Sequence, residues 1–279
     1  MSAEPVLPDE ASLALAAIEH LRPLIGRDQW HRYTLGKGKD KVVLPSVTGV
    51  IGVMDKPALP GWSARIQQEA DMITAWQMAQ RDEFYKYPDF TFFEADFRRL
   101  AGKEKEHAKA LKEAGEIGTD LHGMIEVYCR RLLGETVADP VVKNDRAYFA
   151  YSGFEGWAKS VNLKPVSTEA MVYSKAHGYA GTFDLLAYVN GKLTIVDWKT
   201  GKSIYQEHRL QSVAYRMALA EMSGIMTDGL LVLLPKSGDQ GIEAHPVMDD
   251  VTETFNVFKS LIPVYNWIKA NEKARRSRK

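Results

Sequence analysis

The sequence predicts a mixed α/β domain with a helical N-terminal part, and the order of its periodic segments carries this prediction. Apolar residues recur at helical spacing through much of the first 160 residues, and three strand-like runs then follow in close succession. A helix, a short apolar strand and a last helix complete the chain. This order favours a mixed sheet of four or five strands that is flanked by helices.

We expect three regions along the chain. They are a helical N-terminal region over 1–115, a core over 116–270 and a basic tail over 271–279. The segment 85–100 is rich in aromatic residues and matches no single period well. In the N-terminal region, helices are predicted over 9–25, 62–84 and 103–115, and loops with short strands are predicted over 31–54.

A separate helix is predicted over 118–134. Thr119 is a plausible N-cap, because a threonine hydroxyl can accept a hydrogen bond from an amide of the first turn. Gly134 is a plausible end, since glycine readily adopts the left-handed conformation that follows many helices. The apolar residues of this helix form one stripe, which predicts one buried face: Leu121, Met124, Ile125, Tyr128 and Leu132.

The second half of the chain alternates between the two periods. A helix over about 205–223 is expected to end at Gly224. The apolar run at 229–235 is typical of a buried strand. The other predicted elements are a helix over 145–160, strands over 167–174, 180–189 and 192–199, and a C-terminal helix over about 252–270.

Composition excludes several classes of protein. Lys and Arg together number 36, as do Asp and Glu, so net charge predicts no particular partner, although a positive groove can be local. The single cysteine, Cys129, excludes an internal disulfide and any multi-cysteine metal site built from this chain alone, and it fits a reducing compartment. The N-terminus lacks the pattern of a signal peptide, and no apolar run reaches the ~18 residues of a membrane span. We therefore expect a cytoplasmic protein that does not contact a membrane.

A hairpin between the second and third predicted strands holds the most informative residues. Asn190-Gly191 favours a two-residue type I′ turn, because both central residues of that turn need positive φ. If these residues are the whole loop, Val189 faces Lys192, and the same register places Asp184 opposite Asp197. Like charges that face each other destabilise a sheet, so a bound cation is the natural compensation.

Lys199 adds a third charged group to this hairpin. Side chains alternate along a strand, so Asp197 and Lys199 share one face and Trp198 points to the other. Two carboxylates could bind a divalent cation that activates water, and the ammonium could orient that water or stabilise a charged transition state. The alternative is ordinary surface charge, because Asp and Lys pairs on strands are usually only solvated. A register shift of one residue would also place Asp184 on the wrong face.

With these residues identified, the chain resembles the PD-(D/E)XK nuclease superfamily, and within it the RecB-type exonuclease domains of phage exonucleases and the mitochondrial genome maintenance exonuclease. The G-x-x-D of that pattern matches 181–184, and the D-x-K matches 197–199. The Q-x-x-x-Y motif matches 211–215, and an upstream G-x-x-x-H matches 118–122. The resemblance therefore covers about 118–215 well and implies a restriction-endonuclease-like fold.

The resemblance implies roles for individual residues. Asp184 and Asp197 would bind Mg²⁺ or Mn²⁺, Lys199 would be the catalytic lysine, and His122 would complete the metal site. A lone histidine beside an apolar stripe is otherwise more often structural. Glu169 would lie near the active site with a role in metal or water positioning, against the alternative of a charge on an edge strand.

Two further residues and one absence follow from the same resemblance. Gln211 and Tyr215 lie four residues apart on a predicted helix and so share one face, where they would meet the phosphate backbone or the catalytic lysine. The cysteines that hold an iron–sulfur cluster in some members have no counterpart here. We therefore expect no iron–sulfur cluster.

Together these observations predict a metal-dependent DNA exonuclease without sequence specificity, acting in recombination, repair or phage DNA processing. Its substrate would be single-stranded DNA or duplex ends, the N-terminal helices would form part of a DNA groove, and a recombination protein is a conceivable partner. A structure-specific or flap endonuclease is the nearest alternative. The others are an inactive nucleic-acid-binding protein and an unrelated α/β enzyme whose D-x-K is fortuitous.

Overall fold

The computed structural model describes residues 9–28, 32–54, 58–80, 90–101, 106–140, 144–201, 203–234 and 242–276. Within these ranges the contacts divide the chain into two compact units. One comprises Met1–Met54 with Gly118–Lys279, and the other comprises Asp55–Ile117. The described residues before 55 thus pack with the core, and the predicted division into regions at 115 and 270 stays a prediction.

The first unit contains a five-stranded mixed sheet, which confirms the predicted α/β fold class. The strand order is β4-β5-β6-β7-β8, and only the β6–β7 pair is parallel. Three predicted strands appear with extended bounds as β4 (Lys164–Ser174), β5 (Tyr179–Val189) and β6 (Lys192–Lys199). The apolar run forms β7 (Asp228–Leu233), and β8 (Glu243–Pro246) was not predicted.

Helices cover both faces of this sheet. On one face lie α1 (Asp9–Leu21), α2 (Val47–Ile51) and α7 (Gln206–Ser223), and α8 (Val251–Arg276) packs against α2 and α7. On the other face, Trp198 packs edge-on against Phe154 and Trp157 of α6 (Asp145–Ser160), with ring centroids 5.2 and 5.7 Å apart. As predicted, Trp198 thus points away from the face that carries Lys199.

A small antiparallel sheet precedes the large one. Its strands are β1 (Ile25–Arg27), β2 (Tyr33–Leu35) and β3 (Val42–Leu44), and a short 3-10 helix (Gly38–Asp40) lies between the last two. Tyr33 of this sheet is buried in a cluster that includes Ala180 of β5. The small sheet therefore packs directly beside the strand that carries Asp184.

The second unit is helical. It contains α3 (Ala58–Gln80), α4 (Phe90–Leu100) and the first part of α5 (Glu106–Leu132). The amide of Glu106 donates to Gln67 Oε1 at 3.3 Å, which joins the start of α5 to α3. The aromatic-rich segment thus contains a helix from residue 90 onward, whereas 85–89 lie outside the described residues.

Three sequence predictions on helices need correction. The helices predicted over 103–115 and 118–134 form the single helix α5, so Thr119 lies inside a helix and is not its N-cap. Leu132 was predicted to be buried but is 54% exposed, whereas the apolar stripe from Leu121 to Cys129 is buried. Residues 271–276 of the predicted basic tail continue α8, and 277–279 lie outside the described residues.

No helix among the described residues combines the length and the apolar character needed to cross a membrane.

Candidate active site

The hairpin turn sets the register of the site. Asn190 and Gly191 have φ values of +50° and +81°, as the predicted turn requires. The pairs Val189↔Lys192 and Leu185↔Val196 confirm the predicted register. The backbone pairing of β5 with β6 ends at Leu185↔Val196. Beyond it, Asp184 Oδ2 accepts a hydrogen bond from the amide of Trp198 at 2.8 Å. Asp184 is therefore fixed to the neighbouring strand through its side chain.

His122 approaches Asp184 from helix α5. Its Nδ1 lies 3.5 Å from Asp184 Oδ1, and the two side chains are 32% and 15% exposed. Both groups can therefore be reached from solvent while most of their surface is covered. The G-x-x-x-H motif and the G-x-x-D motif, which are far apart in sequence, meet at this contact.

Glu169 completes a cluster with these two residues. Ligand atoms of His122, Glu169 and Asp184 all lie within 4.8 Å of one another. The neighbouring pairs Thr168↔Leu185 and Ala170↔Phe183 place Glu169 across from Asp184 on the adjacent strand. Two oxygen donors and one imidazole nitrogen at this spacing fit a divalent cation, whose ligands are roughly 3–4 Å from one another in an octahedral shell.

A second group of side chains surrounds the lysine of the D-x-K motif. Lys199 Nζ forms an ion pair with Asp197 Oδ2 and donates a hydrogen bond to Gln211 Oε1 at 2.9 Å. Gln211 Nε2 in turn donates to the hydroxyl of Tyr215 at 3.0 Å. Gln211 and Tyr215 thus contact the lysine side of the site, one of the two roles that the resemblance implied.

Asp197 differs from the other carboxylates. It is 3% exposed, and it lies beside the cluster of His122, Glu169 and Asp184 but is not one of the three that could share an ion as they stand. Its oxygen Oδ2 is held by Lys199. The role of Asp197 as a metal ligand therefore stays a prediction, one that requires its other oxygen or a rearrangement of this ion pair.

The charges of the site shift one another's pKa values. Burial lowers the pKa of His122, but the charge and hydrogen bond of Asp184 outweigh it and raise the pKa to about 9. Burial alone would raise the pKa of Asp184, yet His122, Lys199 and the Trp198 amide hold it below its usual value. His122 and Asp184 are therefore paired as imidazolium and carboxylate.

The other two carboxyls shift in the opposite direction. Burial, opposed by Lys199 but reinforced by Asp184, raises the pKa of Asp197 to about 6. Burial and the charge of Asp184 raise the pKa of Glu169 to about 7, although His122 and Arg27 oppose the rise. Both carboxyls thus hold a proton more readily than free carboxyls do, and a bound divalent cation would displace that proton.

Gly181 of the G-x-x-D motif has a clear steric role. A Cβ atom at this position would lie 2.3 Å from Tyr215 Cε1 and 3.1 Å from Val47 Cγ2. Tyr215 is 2% exposed and has little room to move. Only glycine therefore allows the Tyr215 ring to lie where its hydroxyl meets Gln211.

We predict that Gly181→Ala destabilises the protein, because the added methyl group displaces Tyr215 in a packed core. Overpacking of this kind costs about 1–3 kcal/mol, which corresponds to a fall in Tm of roughly 2–10 °C. Gly156→Ala is the matched control, since it lies inside α6 and its Cβ would meet no atom within 4 Å. Equal melting temperatures for wild type and Gly181→Ala would show that Tyr215 is not held as described.

Sequence reasoning missed one part of the site. Arg27 NH1 lies 3.9 Å from Glu169 Oε2, and the hydroxyls of Tyr33 and Thr182 are 2.7 Å apart. These contacts come from β1 and β2, whose three residues each are too short to show a period. No motif in the sequence marks them.

Carboxylates and an imidazole that can hold a divalent cation, with an ammonium beside them, could activate water and stabilise negative charge on a phosphate. A family model of the PD-(D/E)XK nuclease superfamily matches residues 89–261, which is more than half of the chain. The chain belongs to this superfamily, whose nucleases use divalent metal ions. The predicted family is thereby confirmed.

A comparison with solved structures finds similar chains at low sequence identity and low TM-score. A protein from Eubacterium rectale named as a candidate exonuclease is 13% identical, with 55% of this chain and 67% of that chain covered and a TM-score of 0.39. The alkaline exonuclease of Laribacter hongkongensis is 11% identical, with 59% and 92% covered and a TM-score of 0.32. A search of the curated proteins finds no match.

Proposed function

We propose that this protein is a metal-dependent DNA exonuclease. The observation that supports the proposal most directly is the cluster of His122, Glu169 and Asp184, beside which Lys199 is held by Asp197 and Gln211. A cation binder without catalysis would not need an oriented ammonium next to its ligands. The order of the motifs matches RecB-type exonuclease domains, and this match favours an exonuclease over an endonuclease.

His122, Glu169 and Asp184 would hold the metal ion, with Mg²⁺ or Mn²⁺ as the candidates. When bound, such an ion polarises a phosphate oxygen and lowers the pKa of a bound water. Asp184 is fixed by the Trp198 amide, so this ligand is oriented before any ion binds. Because Lys199 is fixed on two sides, its ammonium would stabilise negative charge on the phosphate in the transition state at little cost in reorganisation.

The experiment that tests the proposal compares linear and closed circular DNA. Uniformly labelled linear duplex, linear single strands and closed circles are incubated with Mg²⁺, Mn²⁺ or EDTA. We expect loss of linear DNA only, dependent on the metal. A Lys199→Met preparation made in parallel reports contaminating nucleases. Cleavage of the circle would establish an endonuclease, and no cleavage of any DNA with either metal would overturn the proposal.

The predicted role of the N-terminal region over 1–115, which includes most of the helical unit over 55–117, in a DNA groove stays a prediction. Removal of this unit is not the way to test it, because α5 spans the boundary between the two units.

Metal binding is expected to change how stability depends on pH. In EDTA, His122 stabilises the fold fully below its ordinary pKa of 6.5, and this contribution is lost as pH rises through about 9. Glu169 and Asp197 have raised pKa values, so the folded state also binds more protons than the unfolded state above their ordinary values. All three groups make the metal-free protein less stable as pH rises from about 5 to about 9.

A bound divalent cation needs these carboxylates and the imidazole without their protons, so its stabilisation grows with pH. We therefore expect the rise in Tm on adding saturating Mn²⁺ to be larger at pH 8 than at pH 5.5. Thermal melts in EDTA and in Mn²⁺ at both pH values measure the difference. A rise that is equal at both pH values would contradict the assignment of these groups to the metal.

A further inference from the structure

Glu169 occupies an unusual backbone position for a ligand. Its φ is +46°, in the left-handed region that non-glycine residues rarely adopt, yet it lies inside strand β4 between two regular pairs. Such a conformation persists only where the surroundings hold it. Its carboxylate also faces that of Asp184, and repulsion between like charges would turn the Glu169 side chain toward solvent unless a cation opposes it.

Two cations oppose this repulsion: the His122 imidazolium within the cluster, and Arg27 from the small sheet. Arg27 NH1 lies 3.9 Å from Glu169 Oε2, and the two side chains are 32% and 39% exposed. The other two carboxylates of the site have their own partners, since Asp184 contacts His122 and Asp197 contacts Lys199. Glu169 shares the His122 charge with Asp184, so Arg27 is its second source of positive charge, and this one comes from the small sheet.

Tyr33 fixes the position from which Arg27 acts. It pairs with Arg27 across β1 and β2, and the Arg27 guanidinium lies 6.0 Å from the centre of its ring. Tyr33 is 3% exposed, and its hydroxyl lies 2.7 Å from that of Thr182, two residues before Asp184. The small sheet is therefore attached to the strand that carries one ligand and presents its arginine to another.

We infer that Arg27 is a positioning residue that holds Glu169 toward the metal site, so that the N-terminal small sheet is a working part of that site. This inference rests on the proposed function only for the presence of the metal. Solvent screens both the attraction between the part-exposed guanidinium and Glu169 and the repulsion between the guanidinium and a bound cation. We expect the loss of orientation to decide the sign of the change in affinity.

The test measures Mn²⁺ binding by calorimetry without DNA, in wild type, Arg27→Gln, Glu169→Gln and the double variant. We expect Arg27→Gln to weaken Mn²⁺ binding about three- to tenfold in the wild-type background. In the Glu169→Gln background the same change should have less than a twofold effect, because the Glu169 carboxylate that Arg27 orients is then gone. Arg27→Lys, which keeps the charge, should recover part of the affinity.

Arg32→Gln is the matched control. Arg32 precedes β2, pairs locally with Asp28 at 2.7 Å and is 66% exposed, so its loss should leave Mn²⁺ binding unchanged. Melting temperatures of all variants exclude a change in folding as the cause. Unchanged or tighter Mn²⁺ binding in Arg27→Gln would overturn the inference, as would an equal effect in both backgrounds.

The outcome is independent of the exonuclease assignment. If the wild type binds Mn²⁺ with the expected coupling but degrades no DNA, the proposed function fails and the positioning role stands. If Arg27→Gln impairs DNA cleavage to the same degree with and without Glu169, while Mn²⁺ binding is unaffected, Arg27 acts on DNA and not through Glu169.

Discussion

Asp184→Asn is expected to lower kcat/KM on linear DNA by at least roughly 100-fold, since changes to groups that merely support metal ligands already cost about 10–100-fold. Asparagine keeps the size of the side chain and one carbonyl oxygen, so the bond from the Trp198 amide can survive. What it removes is the negative charge that faces His122 and Glu169. We therefore expect weak Mn²⁺ binding in a protein that is still folded.

The pKa of His122 can be measured in the same variant as a second test. Asp184 is the main reason that the pKa of His122 rises to about 9, and burial opposes that rise. Without the carboxylate, burial dominates and the pKa of His122 should fall markedly, which NMR titration of the ring in EDTA can follow. Asp228→Asn is the control, because this aspartate is exposed at the start of β7 and pairs with Lys192 at 3.7 Å. A variant that retains full activity and tight Mn²⁺ binding would remove Asp184 from the metal site.

Local chemistry made the hairpin predictable. The Asn190-Gly191 turn leaves little choice of conformation, and a two-residue loop then sets every later pair. Asp184 and Asp197 were thus placed on adjacent strands from sequence alone, and the observed pairs from Val189 to Leu185 agree. The end of the backbone pairing just before Asp184 was not predictable. There the Trp198 amide donates to the Asp184 side chain, whereas a strand register assigns hydrogen bonds between backbone groups only.

At helix α5, the local sequence signals gave a wrong prediction of two helices. Gly115 and Gly118, followed by Thr119, match the end of one helix and the start of another, yet the helix continues through all three. Each glycine inside a helix costs only about 1 kcal/mol, which the packing of a long helix can outweigh. Sequence patterns indicate where a helix could end, but they do not show the tertiary contacts that keep the helix continuous.

The contact between Arg27 and Glu169 could not be predicted for a different reason. It joins two strands that belong to different sheets, and one of them is only three residues long. A periodic pattern can be recognised only over more residues than that, and a single arginine in a sequence does not indicate its partner. Glu169 could be placed near the site by resemblance, but what holds it there required the fold.

The second large effect is expected at Lys199, which contacts Asp197 and Gln211. Lys199→Met removes the ammonium and keeps most of the aliphatic stem, and we expect the single-turnover rate on linear DNA to fall about 10²- to 10³-fold, as on losing one charge-stabilising group in other enzymes. The Lys199 ammonium has no lone pair and cannot be a metal ligand, so Mn²⁺ binding should change by only a few-fold. This pattern differs from that expected for Asp184→Asn, in which activity and Mn²⁺ binding both fall.

Lys192→Met is the matched control, because Lys192 begins the same strand, is 78% exposed and pairs only with Asp228 in the described structure. Tyr215→Phe tests the network without touching the lysine: it removes the hydroxyl that accepts from Gln211 and keeps the buried ring. If Gln211 orients Lys199, this variant should slow the single-turnover rate by a smaller factor than Lys199→Met and leave Mn²⁺ binding unchanged. Were Lys199→Met as fast as wild type, the ammonium would have no part in the chemistry, and its contact with Asp197 would only balance a buried charge.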